Sequence, residues 1–288
     1  MYLQHFGLSQ PPFSATPNTQ FFLELNNAGS LFKEIIQTVN QTDGFITIIG
    51  EAGMGKSTLY RKLLKALHSH KSRYKVLGLA HPPLNAANLY SALGQELDIS
   101  RKPTSTLKVR ILGALLNLAA TGKRVVLVID EAQAMSENVL VALHLLSEHQ
   151  FQGSHLLRIA LFAHPEFNQK IGKPRLQPLR ERITVTRLLQ PVDAKDIFQY
   201  VTLRLDKCQQ QGEALFSLKA INLLAKASGG VPRLINLLAH KAMMRAFDAK
   251  ETLVDEDHMA AAISDTASAN PVTPDGKTRW LSRKPHVV

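Results

Sequence analysis

Cysteine is almost missing from this chain. Cys208 is the single one, so no internal disulfide framework can form and a reducing compartment is expected. Long apolar runs are missing too. The longest weakly polar stretch, residues 111–120, is about half of the ~20 residues that a membrane-spanning helix needs, so no membrane span is expected. The opening Met1-Tyr2-Leu3-Gln4-His5-Phe6-Gly7 has neither the basic stretch nor the apolar core of a secretory leader, and the expected location is cytoplasmic. Acid is scarce: 23 Asp and Glu face 34 Lys and Arg, a formal net charge of +11. That balance favours an anionic partner such as nucleic acid or a lipid headgroup surface, although charge spread along a whole chain also suits a plain soluble basic surface. No internal repeat, no Cys/His metal-ligand spacing and no Ser–His–Asp candidate is present, which leaves a zinc site or a serine-hydrolase triad without support.

What is present centres on Gly50-Glu51-Ala52-Gly53-Met54-Gly55-Lys56-Ser57, a complete G-x-x-x-x-G-K-[ST] loop. Residues 45–49 before it read as a buried strand, and residues 58–67 after it place apolar side chains at helical spacing. A strand that turns through glycines into a helix N-terminus makes a phosphate cradle. Its backbone N–H groups point inward, and the helix end adds partial positive charge. Lys56 is then expected to reach the β- and γ-phosphates of a nucleotide, and the Ser57 hydroxyl to hold Mg²⁺. Thr58, which opens the helix, is counted with the loop among the nucleotide-binding residues.

The chain around the loop reads as two domains, a size that 288 residues support. Residues 1–24 mix Gly7, Pro11, Pro12 and Pro17 with Tyr2, Phe6, Phe13, Phe21 and Phe22, a segment that resists a regular helix but has aromatics with which to pack down. An amphipathic helix is predicted over residues 30–41, carrying Leu31, Ile35 and Val39 on one face. Strands follow at 74–80, 125–129, 156–162 and 184–186. Helices lie between them: one capped by Asn85 and running to about 97, one opened by Pro103 and Thr104 and running to 120, and one over 137–148. Apolar strands without alternation, separated by helices, indicate a parallel sheet covered on both faces. Pro191 marks a boundary at residue 190. Beyond it only helices are predicted, at 195–208, 217–227, 231–247 and 255–263, punctuated by Gly212, Gly229 and Gly230. Residues 265–288, rich in Ser, Thr, Pro, Asn and Asp and then basic at Lys277, Arg279, Arg283 and Lys284, are expected to lack regular structure, apart from an anchor at Trp280.

Several side chains suit chemistry at the loop. The strand 125–129 delivers Asp130 and Glu131 to its carboxyl end, where ligands bind in sheets of this kind. Asp130 suits organising Mg²⁺ and Glu131 suits deprotonating an attacking water. His164 follows the next strand. It could contact the γ-phosphate or the lytic water, or simply serve the following helix as a loop or capping residue. Arg180 and Arg182 precede the last strand. They are either solvated or project into a neighbour's nucleotide, where the planar guanidinium binds phosphate oxygens in bidentate fashion. Arg233, held beside Pro232 at a helix start, is either a surface charge or a lid contact to the γ-phosphate, and the nucleotide domain ahead of it favours the second.

Taken in order, the phosphate loop, Asp130-Glu131, His164, Leu179-Arg180-Glu181-Arg182-Ile183 and Gly229-Gly230-Val231-Pro232-Arg233 resemble the Walker A, Walker B, sensor 1, arginine-finger and sensor 2 positions of an AAA+ ATPase. The resemblance covers about residues 1–264. It implies a three-layer αβα domain with strand order 5-1-4-3-2, a small helical lid, and nucleotide-driven rings or filaments. His164 departs from the Asn or Thr frequent at sensor 1. Of the two arginines, Arg182 aligns better with the finger. The opening His5-Phe6-Gly7-Leu8, Pro12-Phe13-Ser14 and Thr16-Pro17-Asn18 is similar to that of the ExeA/GspA secretion ATPases, and within them to the branch serving mannose-sensitive haemagglutinin (type IV) pilus biogenesis. In that group the opening segment is expected near the adenine. ExeA-like chains usually continue into a transmembrane helix and a peptidoglycan-binding region, whereas this one stops before either.

The resemblance implies an ATP- and Mg²⁺-dependent ATP hydrolase that assembles with itself. It would drive or regulate pilus or secretion machinery, working in the cytoplasm or at the inner membrane through a partner. A DNA-binding regulator similar to the TnsC-like transposition ATPases is the second reading, and its DNA affinity should fall steeply with salt. A nucleotide-dependent scaffold, in which turnover is incidental, is the third.

Overall fold

A computed structural model describes residues 2–14, 16, 18–22, 25–99, 104–208 and 214–271. It divides into two compact units. One comprises Asn27–Ala52 and Lys56–Gln190, the other Met1–Asn26, Gly53–Gly55 and Pro191–Val288.

The first unit is built on five parallel strands: β1 (Phe45–Ile49), β2 (Tyr74–Leu79), β3 (Arg124–Ile129), β4 (Leu157–Ala163) and β5 (Ile183–Leu188). They lie in the order β5-β1-β4-β3-β2, the order that the family resemblance implies. β1 and β4 are buried at every position, because a parallel sheet needs crossover helices that cover both faces. The edge strand β5 alternates half-buried and exposed residues instead. The helices lie where the apolar spacing puts them. Asn26–Gln41 starts four residues ahead of the predicted helix and buries Leu31, Ile35 and Val39. Lys56–His68 buries Leu59, Leu63 and Leu67. The Asn85 side chain accepts from the Asn88 N–H at the head of Ala86–Glu96, and Ser136 caps Glu137–Ser147 in the same way. Pro103 lies outside the described residues, and the helix after it is described over Thr104–Ala120. Two short helices, Glu166–Ile171 and Gln177–Glu181, and a two-residue antiparallel ribbon, Gln150–Phe151 with Ser154–His155, have no counterpart in the sequence reading. Each is too short to show a period.

The second unit is helical: Ile197–Asp206, Leu218–Ser228, Pro232–Asp248 and Glu256–Ser264. Ser217 and Asp255 cap two of these helices, the latter as a reciprocal capping box with His258. Leu224, Ile235, Leu238, Met243 and Met259 are fully buried in its core. Gly212 lies outside the described residues.

Two expectations are corrected here. The opening segment, read with the nucleotide domain, groups instead with the helical unit. Phe6, Leu8, Phe13 and Phe21 are buried in that unit's core, where they find the apolar surface that a Pro-broken segment cannot make for itself. Polar contacts then hold its backbone: the buried Arg204 donates from Nε to Pro12 O (2.8 Å), and Lys207 Nζ donates to Gln20 O (2.6 Å). Of the residues expected to lack structure, 265–271 are anchored. Lys241 Nζ donates to Asp265 O (2.6 Å), the Thr266 hydroxyl to Ala262 O (2.7 Å) and the Asn270 N–H to Ala227 O (2.9 Å). Residues 272–288, Trp280 among them, lie outside the described residues. Among the described residues no helix is long and apolar enough to cross a membrane.

Candidate nucleotide site

Strand order decides which loop ends meet. β4 lies between β1 and β3, so the carboxyl ends of all three converge, the place where open α/β sheets bind ligands. The loop that leaves β1 is tied there at once, since the Gly50 N–H donates to Ala163 O at the end of β4 (3.1 Å). Glu51 and Ala52 are exposed, Met54 is buried, and Ser57 and Thr58 lie half-buried in the first helical turn. Gly53 has φ +82°, and a Cβ added to it would lie 2.9 Å from Arg233 Cβ. Only glycine holds this backbone and this approach without strain.

Lys56 is the first residue of its helix, yet it is only 5% exposed. Its side chain folds back over the loop, where Nζ donates to Gly50 O (2.8 Å) and Glu51 O (3.0 Å) and lies 3.3 Å from His164 Nε2. Burial pushes the Lys56 ammonium below the usual lysine range, against the opposing pull of Glu131, Asp130 and Glu51. Asp130 is also 5% exposed. Its carboxylate accepts from the Ser57 hydroxyl and from the Glu131 N–H (3.0 Å). Burial nevertheless outweighs these bonds and raises its pKa.

Glu131 stands in the left-handed region, φ 55° and ψ 36°, uncommon for a residue with a side chain. Its Oε2 accepts from the Gln133 amide (2.5 Å) and lies 3.7 Å from His164 Nε2. Gln133 also reaches the end of β4, where its Oε1 accepts from the His164 N–H (3.0 Å). The Gln133 backbone is held in turn, because the Lys170 ammonium donates to Gln133 O and to Met135 O (2.7 Å). The sequence reading missed Gln133 and Lys170. A glutamine two residues after a glutamate has no motif value until a left-handed turn brings the two together.

Gly50, Glu51, Ala52, Lys56, Ser57, Asp130, Glu131 and His164 thus gather at one sheet edge. The arginines before β5 do not. The Arg182 carbonyl accepts from the Phe45 N–H at the start of β1 (3.0 Å), so both arginines sit at the amino-terminal edge of the sheet. The five residues of β1 separate that edge from the loop by about 16 Å, at ~3.3 Å per residue. Arg182, the better aligned of the two, is turned inward. One Nη lies 2.5 Å from His155 Nε2, the other donates to Ser147 O (3.3 Å) and reaches Asp43 O (3.5 Å), and Nε is 3.3 Å from Glu148 Oε1. Burial, and then Arg182 itself, hold His155 below the usual imidazole range, so its ring can accept. Arg180 is exposed and has no side-chain hydrogen bond or ion pair among the described residues. Arg233 lies in the helical unit at the start of Pro232–Asp248, and its N–H donates to Gly53 O (3.1 Å).

Residues 38–171 match the family model described as AAA domain. The chain is 34% identical over 252 residues to General secretion pathway protein A of Aeromonas hydrophila, a match that covers 86% of this chain and 45% of that protein. The chain thus spans less than half the length of this relative. Among solved structures it is similar to the ORC2 protein of Aeropyrum pernix in its ADPNP–ADP complexes (TM-score 0.62, 16% identity, 83% of this chain and 66% of that one). It is likewise similar to Aeropyrum pernix ORC1 in complex with DNA (TM-score 0.64, 14% identity, 89% of this chain and 69% of that one). At such identities these two likenesses speak for the fold. Residues 38–171 are thus similar to an AAA domain, and 252 residues of the chain are similar to General secretion pathway protein A.

Proposed function

We propose that this protein binds and hydrolyses ATP, and that the cycle drives or regulates assembly of secretion or type IV pilus machinery. The observation that carries the first part is the buried Lys56 ammonium. It is held on the loop's own carbonyls, beside His164, at the edge that receives Asp130 and Glu131. A desolvated cation left on backbone carbonyls is poised to exchange them for phosphate oxygens, a stronger charge-assisted contact.

In this reading the loop N–H groups and the helix start cradle the phosphates, Lys56 binds the β- and γ-phosphates, and Glu131 takes the proton of the attacking water. A hydroxyl and a carboxylate, Ser57 and Asp130, form the oxygen donor set that a hard cation such as Mg²⁺ prefers. Bound there, the ion would neutralise charge on the phosphates. The finger role goes to Arg180 rather than Arg182, because Arg180 is the one free to leave its own surface. At the far sheet edge it can serve only a neighbour's site, which makes turnover depend on a ring or filament. Arg233, beside Gly53, is the candidate lid contact to the γ-phosphate.

The secretion role rests on the relationship to General secretion pathway protein A, and the narrower pilus role on the opening motif. The partners are then further copies of this chain and assembly proteins at the inner membrane, with the protein cytoplasmic and peripheral. A DNA-binding regulator is the second reading, favoured by the net charge of +11 and by a fold neighbour solved with DNA. Steady-state ATP turnover against protein concentration, with and without duplex DNA, tests both readings. Glu131→Gln serves as the blank and Lys56→Ala as the control that should lose nucleotide binding. Turnover per subunit that rises with concentration and ignores DNA supports the assembly ATPase, whereas strong stimulation by DNA supports the regulator. Normal ATP binding by Lys56→Ala would refute the loop assignment.

A further inference from the structure

Gln133 joins two elements of this site through the two ends of one side-chain amide. Its amide N–H donates to the Glu131 carboxylate (2.5 Å), while its amide oxygen accepts from the His164 N–H at the end of β4 (3.0 Å). We propose that Gln133 is a positioning residue that locks the Glu131 carboxylate to the end of β4, so that the orientation of the water-activating group follows that strand end. This inference rests on the reading that ATP is hydrolysed here with Glu131 as the base.

Three features carry it. First, the Glu131 side chain is 41% exposed and flexible, so without a partner it would populate several rotamers. The contact with Gln133 selects one of them. Second, the Glu131 backbone is left-handed, a conformation that persists in a residue with a side chain only where its surroundings hold it. Asp130 Oδ1 accepts the Glu131 N–H, and Gln133 holds the side chain. Third, the relay is fixed at both ends. The Lys170 ammonium pins the Gln133 backbone from the helix Glu166–Ile171, and the His164 ring lies 3.3 Å from Lys56 Nζ and 3.7 Å from Glu131 Oε2. A shift of the β4 end on the phosphate side therefore reaches the carboxylate through a single amide. A primary amide donates and accepts at once from the two ends of one planar group. An ionised glutamate at this position keeps the shape and can still accept from His164, but it cannot donate to Glu131.

The test compares the full chain with Gln133→Glu, Gln133→Ala and Lys56→Ala. It measures ATP turnover, binding of a fluorescent ATP analogue, and the melting temperature. Both Gln133 variants should lower kcat about 10- to 100-fold, the loss that a small misplacement of a reacting group causes, with KM and analogue affinity unchanged. Gln133→Glu is nearly isosteric but adds a charge beside Glu131, whereas Gln133→Ala adds none, so the same split in both folded variants assigns the loss to the missing donor. Wild-type kcat in a folded Gln133→Glu variant, or a loss confined to KM, overturns the inference and leaves the ATPase reading standing. A wild-type chain whose turnover does not exceed that of Lys56→Ala overturns both.

Discussion

Replacing the two arginines before β5 one at a time separates a side chain that holds the fold from one that is free to act on a neighbour. In Arg182→Ala the Ser147 carbonyl and the His155 ring lose a charged donor. Hydrogen bonds to charged groups contribute roughly 1.5–3 kcal/mol each. The Asp43 carbonyl, at 3.5 Å, adds little. The Glu148 carboxylate is half exposed, and such a pair contributes about 0–1 kcal/mol. Some of the loss is offset because the guanidinium no longer has to leave water, which puts the net cost at about 2–4 kcal/mol. For a chain of this size, at about 2 °C per kcal/mol, the melting temperature should fall by about 4–8 °C. Arg180→Ala removes an exposed side chain that is unpaired among the described residues and should stay within about 0.5 kcal/mol of wild type. Turnover should respond in the opposite sense. Below its melting transition, Arg182→Ala keeps a rate per subunit that rises with concentration. Arg180→Ala loses that rise, with a rate deficit of about 10³ or more at high concentration. Thermal melts and a concentration series of ATPase assays read both effects. An Arg182→Ala protein that melts like wild type, together with an Arg180→Ala protein that keeps its concentration dependence, would refute the assignment.

Asp130→Asn should raise the melting temperature of the nucleotide-free protein at neutral pH. Its folded pKa lies above the unfolded value because burial penalises the charge, so an energetic cost is present above that folded pKa and fades as pH falls below the unfolded carboxylate range. Melts across pH should show the gain at neutral pH and its loss in acid. Arg204→Ala should cost about 2–4 kcal/mol, because the buried guanidinium bonds Pro12 O and the Tyr200 hydroxyl and stacks over Phe21. Limited proteolysis should then cut earlier within residues 9–22, and an unchanged cleavage pattern counts against this anchor. Gly230→Ala should destabilise by about 3 kcal/mol or more, since φ there is +77° and a Cβ would lie 2.1 Å from Val192 O. Urea unfolding measures it, and a neutral result would show that the 191–192 turn can move aside.

What the sequence determined by itself is what a single strand, turn or helix face decides. Residues 45–49 and 125–129 are apolar enough to demand burial on both faces, Asn85 starts its helix through its own side chain, and the phosphate loop is contiguous. Asp130 and Glu131 follow because a strand must put its last residues at the sheet edge. Tertiary structure alone decided the rest. Arg182 points into the protein because His155 and the Ser147 carbonyl, from separate parts of the chain, stand beside it. Gln133 meets Glu131 because a left-handed turn folds one back on the other. The opening aromatics advertise burial, yet only the helical unit, almost two hundred residues further on (~200, within the size of a typical domain or two), supplies the surface that receives them. Spacing along a chain encodes local periodicity, whereas these contacts depend on which strand ends and helices the fold makes neighbours.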